Sequence, residues 1–302
     1  MVYLHNDKNA FTDALNHTRV LTGITTTVIE KDYYVTMILK GLSERLPYIV
    51  FKGGTSLSKC HRIIKRFSED IDVTVDVKLS QGQMGKVKDA IKAVANDLSL
   101  LIPNIGETRS RRSYNKYILA YQSVMDFSTD VVPPSVILET SFAEVSFPTV
   151  ILPVHSYVGD MLRDEAPGMV AEFNLGPFEM KVQDIDRTMI DKVFAICDYY
   201  MKGNVRRHSR HIYDIFKLLM TVPLDGNLKN LVKEVREIRA VNASLCPSAQ
   251  PDVDVQNLLE QIIKEDVYRA DYNNLTSRIL EEQISYVTAI SAIKKIAESD
   301  IF

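Results

Sequence analysis

Asp70 and Asp72 stand two residues apart in the run Ser68-Glu69-Asp70-Ile71-Asp72-Val73. On a strand, residues i and i+2 share a face, so both carboxylates point the same way. Like charges that close are costly unless a cation sits between them. A divalent ion that takes hard oxygen ligands, Mg²⁺ or Mn²⁺, is the usual remedy. Two solvated acids on an exposed strand are the plainer reading, and the stretch before the pair weighs against it. There a strand-like run, Tyr48-Ile49-Val50-Phe51, leads through Lys52 into Gly53-Gly54-Thr55-Ser56 and then Leu57-Ser58-Lys59. Glycines let backbone amides approach a phosphate, and the Ser56 hydroxyl extends the same cradle. A tight strand-to-helix turn would use the same residues. The loop is not a P-loop, since GxxxxGK[ST] is absent. Lys59 either neutralises phosphate charge or is a surface helix lysine. Asp76 continues the parity of Asp70 and Asp72 and reads as the solvent-facing end of the strand. Together these residues suggest metal-assisted chemistry on a nucleotide.

Other charged residues lie in apolar surroundings. Glu139 sits in Val136-Ile137-Leu138-Glu139-Thr140, where an acid is costly unless paired or metal-bound. It is a candidate third carboxylate or a strand-end acid. Lys192 stands among Ile190, Val193 and Ile196, with Arg187 on the same expected helix. Asp214 lies in Ile212-Tyr213-Asp214-Ile215-Phe216. A half-buried lysine and aspartate form a structural ion pair, or they bind a triphosphate and orient the reacting groups. Three basic clusters are present: Arg62, Lys65 and Arg66; Arg109, Arg111, Arg112 and Lys116; Arg206, Arg207 and Arg210. Each alone suits a solvated face, and together they make a local polyanion site plausible. Tyr114 and Tyr117 flank the second and either stack on bases or fill a strand core.

The elements that must position these groups follow from periodicity. Helices are expected over residues 11–20, 25–46, 56–65 and 80–101, with Pro47 stopping the second. Strands are expected over residues 48–52, 71–77, 116–124 and 135–141, with residues 145–154 a poor central strand because of Pro148 and Pro153. Beyond about residue 180 the texture turns helical: 180–201, 209–221, 227–239, 253–263, 268–282 and 285–297. The pattern is α+β, with an α/β core over residues 1–178 and a helical part over 179–302.

The totals narrow the class. The chain has 302 residues, 46% hydrophobic and 25% charged, with a net charge of -3. That is a globular composition, and the charge excludes a generally basic nucleic-acid coat. Cys60, Cys197 and Cys246 are few, odd in number and without metal-ligand spacing, which suits a reducing cytoplasm. No signal peptide and no membrane span are expected.

The chain resembles the AbiEii/AbiGii toxin family of nucleotidyltransferase-like proteins, within the DNA polymerase β-type nucleotidyltransferase superfamily. The blocks that carry the resemblance are Ile29-Glu30-Lys31-Asp32-Tyr33-Tyr34-Val35-Thr36, Phe51 to Lys59, Arg66 to Asp72, Arg187-Thr188-Met189-Ile190-Asp191-Lys192, and Arg206 to Ile215. The resemblance implies a mixed-sheet nucleotidyltransferase core with a helical C-terminal part, a nucleoside triphosphate donor, and Mg²⁺ or Mn²⁺. It implies the toxin half of a toxin–antitoxin or phage-defence pair, a cognate antitoxin, and tRNA as the acceptor to test. Carried over by position, Gly53, Gly54, Thr55, Ser56, Lys59, Arg187 and Arg210 would bind the nucleotide's phosphates. Asp70 and Asp72 would hold metal, and Lys192 and Asp214 would complete the catalytic site; Glu139, whose flanking residues match none of these blocks, stays the candidate third metal ligand read from its apolar strand. The alternatives are nucleotidylyl transfer to a protein or small molecule, and a nucleotide-binding regulator without chemistry.

Overall fold

The computed structural model describes residues 2–66, 68, 70–110, 112–125 and 133–302, with backbone alone at 143 and 144. Phe67 and Glu69 of the acidic motif, and Arg111 of the second basic cluster, lie outside the described residues. The chain divides into two compact units. One comprises Met1–Cys60 and Glu69–Val182, the other His61–Ser68 and Gln183–Phe302.

The first unit is built on β1 (Ile49–Lys52), β2 (Ile71–Val75), β3 (Tyr114–Ala120), β4 (Ser135–Val145), β5 (Thr149–Val154) and β6 (Phe178–Gln183). They form one mixed sheet in the order β3-β4-β2-β1-β6-β5. β1 runs antiparallel to β2 and parallel to β6. β4 runs parallel to β2 and antiparallel to β3. Alternation decides the faces: Ile71, Val73 and Val75 are buried in the hydrophobic core, which leaves Asp72 on the opposite face. β5, with Pro153, takes the sheet edge, where a residue without an amide hydrogen costs least.

The helices of this unit are α1 (Lys8–Thr22), α2 (Thr26–Arg45), α3 (Gly53–Lys59), α4 (Gln81–Asp97), α5 (Tyr157–Glu165) and α6 (Pro167–Glu172). Their ends follow from capping chemistry. Asp7 accepts from the amides of Asn9 and Ala10 to open α1, and Gly23 closes it in the left-handed conformation. α2 stops before Pro47, with the Leu46 amide returned to Leu42 O at 2.9 Å. Ser80 and Gln83 form a capping box on α4. α2 buries Ile29, Tyr33, Ile38, Leu39 and Leu42 in the core.

The second unit contains α7 (Ile185–Met201), α8 (Arg210–Leu218), α9 (Gly226–Ala240), α10 (Val255–Glu265), α11 (Arg269–Asp271), α12 (Ser277–Ile279) and α13 (Tyr286–Ala297). A π-helical turn at Tyr272–Thr276 joins α11 to α12. α8 packs on α7 and α13, and α10 on α13 and α7. His61–Ser68 belongs here because its backbone is tied to this unit. Arg66 bridges to Leu280, and the Glu281 amide donates to Lys65 O at 2.9 Å.

Two expectations for the elements are corrected. The helix expected over residues 56–65 instead starts at Gly53 and ends at Lys59. Its continuation is blocked by Arg62, whose φ of 56° lies outside the right-handed helical region. The helix expected over residues 180–201 begins as strand β6 and becomes α7 only after Asp184. The Asp184 carboxylate accepts from the Asp186 amide at 2.9 Å, an N-cap that fixes the switch. Asp76 is not simply solvated: it ion-pairs with Lys181.

Among the described residues no helix is long and apolar enough to cross a membrane. All three cysteines are buried.

Candidate active site

The first unit gathers the DxD pair, Glu139 and the glycine turn. Sheet register aligns a row across four strands: Lys52 opposite Asp72, Asp72 opposite Glu139, and Glu139 opposite Lys116. Residues paired across neighbouring strands project to the same face, so Asp72 and Glu139 lie side by side with a lysine at either end. Lys116 Nζ is 3.9 Å from Glu139 Oε1. Tyr114, two residues before Lys116, lies on the same face of β3, beside Glu139. Burial pushes the Tyr114 hydroxyl pKa up, and the charges of Glu139, Asp72 and Asp70 push it further the same way. All three carboxylates therefore bear on one phenol.

The turn is fitted to the acids. Gly53 has φ 82°, and a Cβ there would come within 2.2 Å of Asp72 Oδ2. Only glycine satisfies both the backbone angle and the close approach. Thr55 donates its hydroxyl to the Asp70 carbonyl at 2.5 Å, tying the turn to the strand entry. Ser56 is buried, and its hydroxyl donates to Gly53 O at 2.9 Å.

Lys59 is neither a surface lysine nor a free cation: its ammonium ion-pairs with Asp32 of α2. Asp32 also accepts from the Tyr157 amide at 3.0 Å. Two residues earlier, buried Glu30 accepts from Ser123 Oγ at 2.5 Å and from the Val124 amide at 2.9 Å. The Glu30-Lys31-Asp32 stretch thus braces the turn and the chain beyond β3. Sequence reasoning missed this because the partners lie 27 and 93 residues away.

The second unit gathers Lys192 and Asp214 and adds Arg66, to which the sequence assigns no role beyond a basic cluster and a resemblance block. Asp214 is 0% exposed. Arg66 grips it through Nε at 2.7 Å and Nη2 at 2.8 Å, and Lys192 Nζ lies 2.7 Å from Oδ2. Burial pushes the Asp214 pKa up, but the Arg66 and Lys192 cations outweigh it and hold the carboxyl well below the usual range. One anion between two cations leaves a buried cluster with an excess positive charge. Arg210 opens α8, exposed, one turn before Asp214.

Arg187 is buried and donates to Asp191 at 3.2 Å. Asp191 also accepts from Arg239, which in turn donates to Asp198 at 2.9 Å. This network fastens α7 to α9.

The donor chemistry suits a divalent cation. Asp70, Asp72 and Glu139 offer hard oxygens, and Asp72 leans on a glycine that leaves it room. Among the described residues no three His, Cys, Asp or Glu side chains are gathered closely enough to hold an ion by themselves. Mg²⁺ is commonly held by one or two carboxylates with substrate phosphates and water completing its shell.

A mixed sheet with flanking helices, a glycine turn after β1 and acids in register on β2 and β4 define a nucleotidyltransferase-like α+β protein. The chain belongs to the AbiEii family. The family model described as "Nucleotidyl transferase AbiEii toxin, Type IV TA system" matches residues 38–296. This family comprises nucleotidyltransferase toxins of type IV toxin–antitoxin systems. The matched span begins after the Ile29–Thr36 block and runs on through most of the helical unit. No curated protein matches the chain.

Proposed function

We propose that the protein transfers a nucleoside monophosphate from a nucleoside triphosphate to the 3′-hydroxyl of a tRNA, releasing pyrophosphate. The observation that carries this reading is the alignment of Asp72 with Glu139 on one sheet face, beside the glycine that Asp72 overhangs. The acceptor oxygen forms a bond to the α-phosphorus. The bond from that phosphorus to the bridging oxygen breaks, and pyrophosphate leaves with the electron pair. The hydroxyl proton passes to Asp70 or Asp72. Asp70 and Asp72, with Glu139, would hold Mg²⁺ or Mn²⁺, which when bound supplies charge stabilisation to the attacking and leaving oxygens.

The amides of Gly53 and Gly54, with the hydroxyls of Thr55 and Ser56, bind phosphate oxygens. Within the helical unit, Lys192 and Arg210 carry positive charge of the kind that offsets charge developing on a triphosphate. Asp214, with no exposed surface, is a positioning residue: it sets the Lys192 and Arg66 cations. Lys59 and Arg187 act through Asp32 and Asp191, holding α3 and α7 in place. Neutralisation by a cognate antitoxin follows from the same family reading.

The test mixes purified protein, Mg²⁺ and each α-labelled nucleoside triphosphate with total RNA. Label on a tRNA-sized band, lost in the Asp70→Ala/Asp72→Ala variant, is expected. Label on protein or on a small molecule would replace the acceptor. Nucleotide binding with no pyrophosphate released would make the protein a regulator.

A further inference from the structure

The row of aligned residues continues past Glu139 to β3, the edge strand of the sheet opposite β5. β3 alternates strictly at its start: Asn115 and Tyr117 are buried, while Tyr114 and Lys116 face outward. Tyr117 is 1% exposed and Tyr114 is 47% exposed. Of the two tyrosines in this cluster, only Tyr114 presents a ring face to a ligand. It shares the outward face of β3 with Lys116, which pairs with Glu139, so the ring stands beside the carboxylate row.

The basic turn that precedes β3 is also held. Buried Asn115 accepts from the Arg109 amide at 2.8 Å and donates to the carbonyls of Arg109 at 3.0 Å and Arg112 at 3.4 Å. The Arg112 amide closes the turn on Arg109 O at 3.1 Å. The side chains of Arg109 and Arg112 are exposed. Three exposed cations, Arg109, Arg112 and Lys116, therefore lie close in sequence to one exposed aromatic ring at the edge of the carboxylate row.

We propose that Tyr114, Lys116, Arg109 and Arg112 form the acceptor platform, seating the unpaired 3′ end of an RNA beside Asp70, Asp72 and Glu139. Aromatic rings stack on bases of any identity, and fixed cations track the phosphates of a single strand. Paired bases are stacked on one another within a helix, whereas an unpaired end can lay a base on a protein ring. The ring holds the terminal base, and the arginines take the phosphates upstream. The proposal rests on RNA being the acceptor.

The experiment measures fluorescence anisotropy of a hairpin RNA with an unpaired 3′ tail against the same hairpin made blunt, using the full chain, together with KM for RNA and for the nucleotide. Wild type binds the tailed form more tightly. Tyr114→Ala weakens that binding about ten-fold, the loss of one base stack, and raises KM for RNA but not for the nucleotide. Tyr114→Phe, which keeps the ring, restores most of the binding. Arg112→Glu weakens it and flattens its salt dependence. The platform is overturned if Tyr114→Ala binds the tail as wild type does, or if only the nucleotide KM moves. Transfer to RNA that ignores Tyr114 overturns the platform alone. Failure to bind either RNA, with label passing to protein, overturns the acceptor reading as well.

Discussion

Asp214 is a single carboxylate held by two cations, and both oxygens are engaged. Removing one partner of a buried ion cluster leaves uncompensated charge and costs about 3–5 kcal/mol. Asp214→Asn should therefore lower stability to urea by about that much. Replacing all three residues (Arg66→Met, Lys192→Met, Asp214→Leu) should recover most of the stability while abolishing transfer. Folding holds the Asp214 pKa below its unfolded value. Its stabilisation is thus complete above about pH 4 and is lost as pH falls through that value toward the lower folded one. A plot of unfolding free energy against pH should be flatter below about pH 4 in Asp214→Asn than in wild type. At the paired acids, Asp70→Ala with Asp72→Ala should cut transfer by at least about a thousand-fold and leave circular dichroism unchanged. Asp70 and Asp72 are legible in the sequence because their spacing and the glycines before them are local. The company each residue keeps is not legible. Nothing near Lys59 names Asp32, and nothing near Asp214 names Arg66, 148 residues earlier.

The β1-turn-α3 element is a clamp on the acids, whatever its part in the proposed binding of phosphate. Thr55→Val keeps the side-chain shape but removes the hydrogen bond to Asp70 O. It should cost about 1 kcal/mol of stability and lower kcat more than it raises KM, as steady-state kinetics would show. Gly53→Ala places a methyl group against Asp72 and should lose activity even if the protein still folds. The strands read well where apolar alternation was clear, as at β2 and β4. β6 was missed because Met180 and Val182 run into the apolar pattern of α7, and only the Asp184 cap marks the boundary. Register is invisible in a single sequence, so the pairing of Glu139 with Asp72 had to come from the structure.

The chain passes between the two units at residues 60–61, 68–69 and 182–183. The eight residues of His61–Ser68 carry Arg66, the bidentate partner of Asp214, and the backbone that pairs with Leu280 and Glu281. A fragment spanning residues 183–302 therefore keeps Lys192 but loses Arg66, the bidentate partner of Asp214. Expressed alone it should show poorly dispersed amide resonances, and adding a peptide of residues 61–68 should sharpen them. For recombination this threading has a consequence. A nucleotidyltransferase sheet and a helical partner joined at one junction can be exchanged between genes as cassettes. Here a crossover near residue 183 would pair the incoming helices with another lineage's Arg66 segment. Ancestry of the two parts should therefore run in step, and a hybrid would survive only if the segment between α3 and β2 travelled with the helices.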